Sequence, residues 1–384
     1  MENLNYRLES LIRFRKELHK NPELSGKETE TAKRIISFLE QYPPDEIQPH
    51  VGGTGIIAVY KGAEKGKTIL FRCELDALPI KETNSFEHQS VQMNVSHKCG
   101  HDGHMAILCG LASELHYRRP EKGSVILLFQ PAEENGTGAE KVVHDNSFKD
   151  YNPDYVFALH NLPGFIKNQI VVKNDTFSCA VKSMLIRLKG KIAHAAEPEN
   201  GINPALALAA IIEQFDAKSQ VDKSKPDFTI ITPVYSSLGK KAYGVSAGKA
   251  EVHFTIRCLS NDEMEKLSVE LENLTKEIAK SHQLEVKIKW AESFQANENN
   301  AEANRFIKNA SKLLGLEVVE KEIPFSWGED FGLFTQLYTG AMFGLGAGLE
   351  TPALHHSDYD FPDEIISTGV KLFHQISKEI NHAY

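Results

Sequence analysis

Apolar residues recur at helical spacing from the start of the chain. Leu8, Leu11, Ile12, Phe14 and Leu18 alternate with charged positions over 6–20, and Pro22 stops the run. A second helix is expected over 27–40, with Ala32, Ile35, Ile36, Phe38 and Leu39 on its apolar face. Short apolar runs at 55–60, 68–73, 125–130 and 156–160 read as strands, and 103–117 reads as a helix between the second and third. Strands that are apolar throughout, alternating with helices, predict a mainly parallel sheet covered on both faces.

Near residue 180 the pattern changes. Strands at 183–188, 228–234, 251–258 and 284–290, with helices at 203–215 and 262–282, describe an α+β unit of the split β-α-β kind. Helical patterns return at 301–314 and 363–381, and the polar tract 296–300 reads as a linker. The expected class is therefore α/β with two domains. A core domain formed by 1–179 and 292–384 carries an inserted α+β, ferredoxin-like domain at 180–291. The parallel-sheet core has the α/β/α layering.

Composition narrows the possibilities. The chain has 384 residues, enough for two cores, and its 41% apolar and 25% charged content is that of an ordinary globular protein. A net charge of −9 with no basic block argues against a nucleic-acid partner. No apolar run reaches membrane length, and the first residues lack a signal-peptide core, so no membrane association is expected. Five scattered cysteines, an odd number, fit reduced thiols and a cytoplasmic location.

The candidate chemistry is concentrated in Ser96-His97-Lys98-Cys99-Gly100-His101-Asp102-Gly103-His104, which holds one thiol and three imidazoles within nine residues. Thiolate and imidazole suit zinc, manganese or nickel better than calcium. Alone, the segment could equally be a His-rich loop beside a buried cysteine. Three further segments change the picture: Gln130-Pro131-Ala132-Glu133-Glu134, Ala158-Leu159-His160-Asn161 and Leu354-His355-His356-Ser357. Glu133 and Glu134 follow one expected strand and His160 ends another, where parallel sheets bind ligands. Adjacent carboxylates are commonplace on surfaces. Beside a metal, one can bind the ion while the other handles the proton of a water. Asp76 lies just past a strand and reads either as a turn former or as a group orienting a ligand. His97 and His104 read as support.

The Cys99-Gly100-His101-Asp102-Gly103-His104, Gln130-Pro131-Ala132-Glu133-Glu134, Asp76-Ala77-Leu78-Pro79 and Leu354-His355 motifs resemble the amidohydrolase branch of metallopeptidase family 20. That branch includes hippurate hydrolases, N-acetyl-diaminopimelate deacetylases, aminoacylase-like enzymes and auxin-conjugate hydrolases. His19-Lys20-Asn21-Pro22-Glu23-Leu24, Gly190-Lys191-Ile192-Ala193-His194 and Glu329-Asp330-Phe331 extend the likeness over almost the whole chain.

The resemblance implies two divalent ions per subunit (manganese, zinc, nickel or cobalt) held by Cys99, His101, Glu134, His160 and His355. His356 remains the alternative to its neighbour. It further implies Glu133 as general base, supported by Asp76, and His194 as oxyanion donor acting across a homodimer formed by the inserted lid. Arg257 and Asn203 would hold the substrate carboxylate. The implied reaction is hydrolysis of the amide bond of an N-acyl amino acid; the alternative is a dipeptidase or aminopeptidase acting on short peptides. Outside this chemistry stand a cysteine hydrolase using Cys99 and a non-catalytic binding protein. Glu74, where relatives often have Asp, and Trp327 are departures from the usual pattern, and neither removes a needed group.

Overall fold

The computed structural model describes residues 4–383. The chain forms two compact units. One consists of the chain up to Phe177, Asn297–Glu322 and everything from Asp330; the other of Ser178–Ala296 and Ile323–Glu329. Residues 292–296 and 323–329 pack with the second unit, whereas the sequence pattern assigns them to the core.

The larger unit is built on an eight-stranded sheet. Its strands are β1 (Glu46–Val51), β2 (Gly55–Lys61), β3 (Glu64–Glu74), β4 (Lys122–Gln130), β5 (Tyr155–Pro163), β6 (Ile170–Val172), β7 (Val318–Glu320) and β8 (Thr339–Gly348). Their spatial order is β1-β2-β4-β3-β5-β8-β6-β7. The central run β4-β3-β5-β8 is parallel, while β1, β2 and β6 pair antiparallel at its flanks. The result is a mixed α/β fold with a large, mainly parallel sheet.

Both faces of the central strands are buried. Ile69, Phe71, Leu127, Phe157 and Phe343 join one core with helices α1 (Leu4–Lys20), α2 (Thr29–Leu39), α3 (His101–Tyr117), α4 (Ala301–Leu313) and α5 (Ile366–Ala383). The alternate residues Leu70, Ile126, Leu128 and Val156 are equally buried, as a strand covered on both sides requires. Helix α3 is apolar nearly all round, from Met105 to Leu115, and is accordingly buried between layers. The 296–300 tract is not a linker. Asn297–Asn299 is a short strand, and the Asn299 side chain donates to the carbonyls of Lys173 and Met342 at 2.9 and 2.7 Å and accepts from the Met342 N–H at 2.7 Å.

The smaller unit runs strand, helix, strand, strand, helix, strand: Ala180–Lys189, Ala205–Asp216, Thr229–Leu238, Lys249–Cys258, Asn261–Ser281 and Glu285–Phe294. Its four strands form one antiparallel sheet, in the spatial order second, third, first, fourth. Met184, Ile186, Phe254, Ile211, Phe215 and Leu271 fill its separate core. The long helix starts with a capping residue: Ser260 Oγ accepts from the Glu263 N–H at 3.3 Å. Among the described residues no helix is long and apolar enough to cross a membrane. All five cysteines are free and buried.

Candidate metal centre

Because β3, β4 and β5 are parallel, their carboxyl ends share one edge, and α3 begins there. Gly100 precedes α3 with φ +92°, and a Cβ on it would lie 2.6 Å from Asn161 Oδ1. Only glycine lets the chain turn so tightly against β5, and the turn delivers Cys99 and His101 to the same spot. After β4 the chain turns through Ala132 at φ +53°, an unusual conformation for a residue with a side chain. The buried Glu28 secures that turn: its Oε1 accepts from Ala132 N–H at 2.9 Å and Gly26 N–H at 2.7 Å, and its Oε2 accepts from Thr54 Oγ at 2.7 Å. Glu133 and Glu134 come next.

These segments bring six of the expected residues together. Cys99 Sγ stands 3.5 Å from His160 Nε2 and 3.4 Å from His355 Nε2. His101 Nε2 is 3.9 Å from Glu133 Oε2 and 3.9 Å from Glu134 Oε1. Cys99, His101 and His160 form one group of donors, Cys99, Glu134 and His355 a second, and His101, Glu133 and Glu134 a third, each spanning no more than 4.8 Å. Of the two adjacent histidines, His355 is the one whose ring stands against Cys99, held at φ +67°.

The imidazoles are oriented from behind. His101 Nδ1–H donates to the Asp76 carbonyl at 2.8 Å and His160 Nδ1–H to the Asn161 carbonyl at 2.9 Å, so each ring offers Nε2 to the centre. His101 Nε2 is buried and makes no hydrogen bond. Asp76 Oδ2 accepts from Ser25 Oγ at 2.7 Å and the Glu134 N–H at 3.0 Å. Burial pushes its carboxyl up, but these bonds and the His101 ring outweigh that and hold it below the ordinary value.

Burial, with Glu134 and Glu133 close by, pushes the Cys99 thiol well above its usual range, the opposite of an activated nucleophile. A buried thiol among carboxylates with an idle imidazole nitrogen fits a bound cation, since only a cation stabilises thiolate and carboxylate together there.

The other two histidines of the segment have different surroundings, although His104 lies within 4.8 Å of His101 and Glu74 donor atoms. His104 is bonded through Nδ1 to Glu74 Oε2 at 2.6 Å and through Nε2 to Asn161 Oδ1 at 2.6 Å. His97 is buried with neither nitrogen hydrogen-bonded, and burial pushes it down to about 3, so it is neutral.

The sequence reading missed the buried ions around the site. Arg72, 0% exposed, pairs with Glu74, donates to Gln130 Oε1 at 2.9 Å and pairs with Asp330 at 2.6 Å. On the other side His19 bridges Asp102 at 2.8 Å and Glu82 at 2.9 Å, Arg15 pairs with Asp360 at 2.7 Å, and Lys98 pairs with Glu82. An arginine amid the apolar run Ile69-Leu70-Phe71-Arg72-Cys73 was the available signal, because a strand buried on both faces cannot send a charge to solvent.

His19 yields a pH prediction. Burial alone would lower its pKa, but Asp102 and then Glu82 raise it from 6.5 to about 9. The stability this contributes is complete below 6.5 and is lost as pH rises through about 9. Unfolding free energy should therefore fall over that window by on the order of 3 kcal/mol. His19→Gln should flatten the fall, and an unchanged slope in denaturant titrations would refute the assignment.

The remaining expected residues lie on the smaller unit. His194 is exposed on the short strand Ala193–His194, and its Nδ1 accepts from Ala196 N–H at 3.1 Å, which leaves the ring hydrogen on Nε2. Asn203 donates to Ser246 Oγ at 3.0 Å and accepts from Ala205 N–H at 2.9 Å. Arg257 Nη1 donates to the Ser326 carbonyl at 2.6 Å.

A parallel-stranded α/β unit with thiol, imidazole and paired carboxylate donors at the carboxyl ends of its strands is the architecture of a metal-dependent hydrolase. The chain belongs to peptidase family M20/M25/M40, whose model matches residues 70–379, and it is an amidohydrolase of that family. The N-acetyldiaminopimelate deacetylase of Bacillus pumilus is 31% identical over 364 residues, 95% of this chain and 96% of its own length. The Bacillus subtilis enzyme of the same name is 30% identical over 367 residues, 95% and 97% of the two chains. Among solved structures, a Bacillus subtilis protein described as a dinuclear metal binding peptidase from the M20 family superposes with a TM-score of 0.85. It is 28% identical, with 100% of both chains covered.

Proposed function

We propose that the protein hydrolyses the amide bond of N-acyl amino acids, with N-acetylated amino acids of the diaminopimelate kind as the first substrates to test. The observation that carries this is the convergence of Cys99, His101, His160, Glu134 and His355 around Glu133. Two divalent ions held by the first five would polarise the amide carbonyl and acidify a water.

Glu133, beside His101 and Glu134 but outside the Cys99-His101-His160 and Cys99-Glu134-His355 groups, takes a proton from the attacking water. It then delivers that proton to the departing amine nitrogen. A C–O bond forms, the C–N bond breaks, and a carboxylic acid and a free amino acid leave. Asp76 fixes the His101 ring through its carbonyl and the Glu134 backbone through its carboxylate.

The smaller unit, with its β-α-β-β-α-β order, is read as a ferredoxin-like lid that also forms a homodimer. Its outer strand Thr229–Leu238 exposes Val234, Tyr235 and Leu238, with Tyr243 and Val245 close by in sequence. Such an apolar strand edge is suited to a partner copy. His194, with its Nε2–H available, would donate to the oxyanion in the partner's site, a contribution of roughly 3–4 kcal/mol. Arg257 and Asn203 would meet the substrate carboxylate. Five free, buried cysteines fit a reducing compartment such as the cytoplasm.

The test is a panel of N-acetyl, N-benzoyl and dipeptide substrates assayed before and after chelation. Chelation should abolish acid release, and manganese, zinc or cobalt should restore it. Activity that survives chelation but falls to thiol alkylation would instead support a cysteine hydrolase. Preference for dipeptides over N-acyl amino acids would overturn the substrate class.

A further inference from the structure

Lys98 is 0% exposed, yet it sits beside Cys99 in the segment that delivers the first two donors. A lysine almost never occupies such a position without a specific arrangement to hold it. Its ammonium pairs with Glu82 and donates to the Tyr359 carbonyl at 2.7 Å. Its own carbonyl accepts from the His355 N–H at 2.7 Å. The two ends of the 355–359 turn are thus bound to the two ends of one residue. Thr83 N–H and Asn84 Nδ2 also donate to the Ser357 and Asp358 carbonyls, each at 3.0 Å, but these bonds lie past His355, whose φ of +67° is held against its intrinsic preference. His355 is 52% exposed at its side chain, so packing does not lock the ring either. At the far end, Tyr359 OH accepts from Asn161 Nδ2 at 2.6 Å, tying the same turn to the neighbour of His160.

We infer that Lys98 is a positioning residue for the metal centre: by clamping the 355–359 turn it holds His355 Nε2 against Cys99 and Glu134. Glu82 acts with it as the counter-ion that makes a buried ammonium tolerable. Its position is held in turn by His19 and by the Ser90 N–H at 2.6 Å. The two groups share Cys99, and the clamp distinguishes them because only the group of Cys99, Glu134 and His355 takes a donor from the turn, whereas His101 and His160 lie outside it. Its removal should therefore weaken one cation and spare the other.

This role rests on the two-cation reading above, and stepwise titration of the metal-stripped full-length protein with Co2+ separates the two. Binding is followed through cobalt–thiolate absorption and d–d bands. Wild type should take up two equivalents. Lys98→Met, which keeps the length of the stem, should bind the second equivalent about 10–100-fold more weakly and leave the first near its wild-type affinity. The double variant Lys98→Met/Glu82→Gln removes both buried charges, so it folds without an orphaned carboxylate and should show the same selective loss. Two unchanged equivalents in the folded variants would overturn the role of Lys98 while leaving the two-cation centre standing. Equal weakening of both equivalents would also overturn it, as a general loosening. No cobalt uptake by wild type would bring down the centre and the clamp together.

Discussion

Glu133→Gln is expected to lower kcat by about 10^2–10^4-fold while metal content stays at the wild-type level. Glutamine keeps the volume and the planar head of the side chain but cannot accept a proton and pass it on. The position allows so clean a separation because Glu133 is set by the backbone. Ala132, at φ +53°, is anchored by its N–H to Glu28, and the Glu133 side chain is only 8% exposed. Glutamine should therefore occupy the same place. Glu134→Gln is the contrasting variant. Its carboxylate lies in the group with Cys99 and His355, so it should lose metal together with activity. Metal analysis alongside steady-state kinetics distinguishes the two outcomes. Substantial turnover by a metal-loaded Glu133→Gln would refute the general-base assignment.

The chemistry was more legible than the framework holding it. The donors could be read because a thiol, imidazoles and paired carboxylates stand at the ends of recognisable strands and at one helix start. The run at 125–130 lies within β4, that at 156–160 within β5, and the 103–117 helix begins two residues early, at His101. Strand β8, central to the sheet between β5 and β6, gave no such signal, because Thr339–Gly348 carries glycines that imitate a turn. One of them has a packing reason: a Cβ on Gly344 would lie 2.0 Å from the Leu162 side chain. Packing selected glycine where β propensity alone would select a branched residue. The buried ions were opaque for a different reason. A charge in a sequence carries no mark of its burial, and Arg72 and Lys98 find partners in Asp330 and Tyr359, 258 and 261 positions away. Asn299 misled in the same way, its polarity answering the buried backbone groups of Lys173 and Met342 and not solvent.

Arg72→Met should destabilise the larger unit by about 3–5 kcal/mol at neutral pH, the range for breaking a buried ion pair from one side. Methionine fills much of the space of the arginine stem, so the loss is chiefly electrostatic. The two carboxylates are not equally exposed to it. Asp330 keeps Gln130 Nε2 at 2.9 Å and the Ala139 N–H at 2.9 Å, both neutral donors that suit an anion. Glu74, 0% exposed, keeps His104. Burial pushes the Glu74 carboxyl up, and Arg72 first and His104 second more than reverse this, holding it well below the ordinary range. A depressed folded-state pKa contributes stability above the unfolded value and loses it as pH falls. Without Arg72 the Glu74 pKa rises, so the variant's deficit should shrink from about pH 7 toward about pH 5 as Glu74 takes up a proton. Adding Glu74→Gln to Arg72→Met should recover more of the loss than adding Asp330→Asn. Denaturant titrations followed by far-ultraviolet circular dichroism at both pH values decide the matter. A deficit that is independent of pH and insensitive to Glu74→Gln would mean that the arginine's packing, and not its charge, holds the strand ends together.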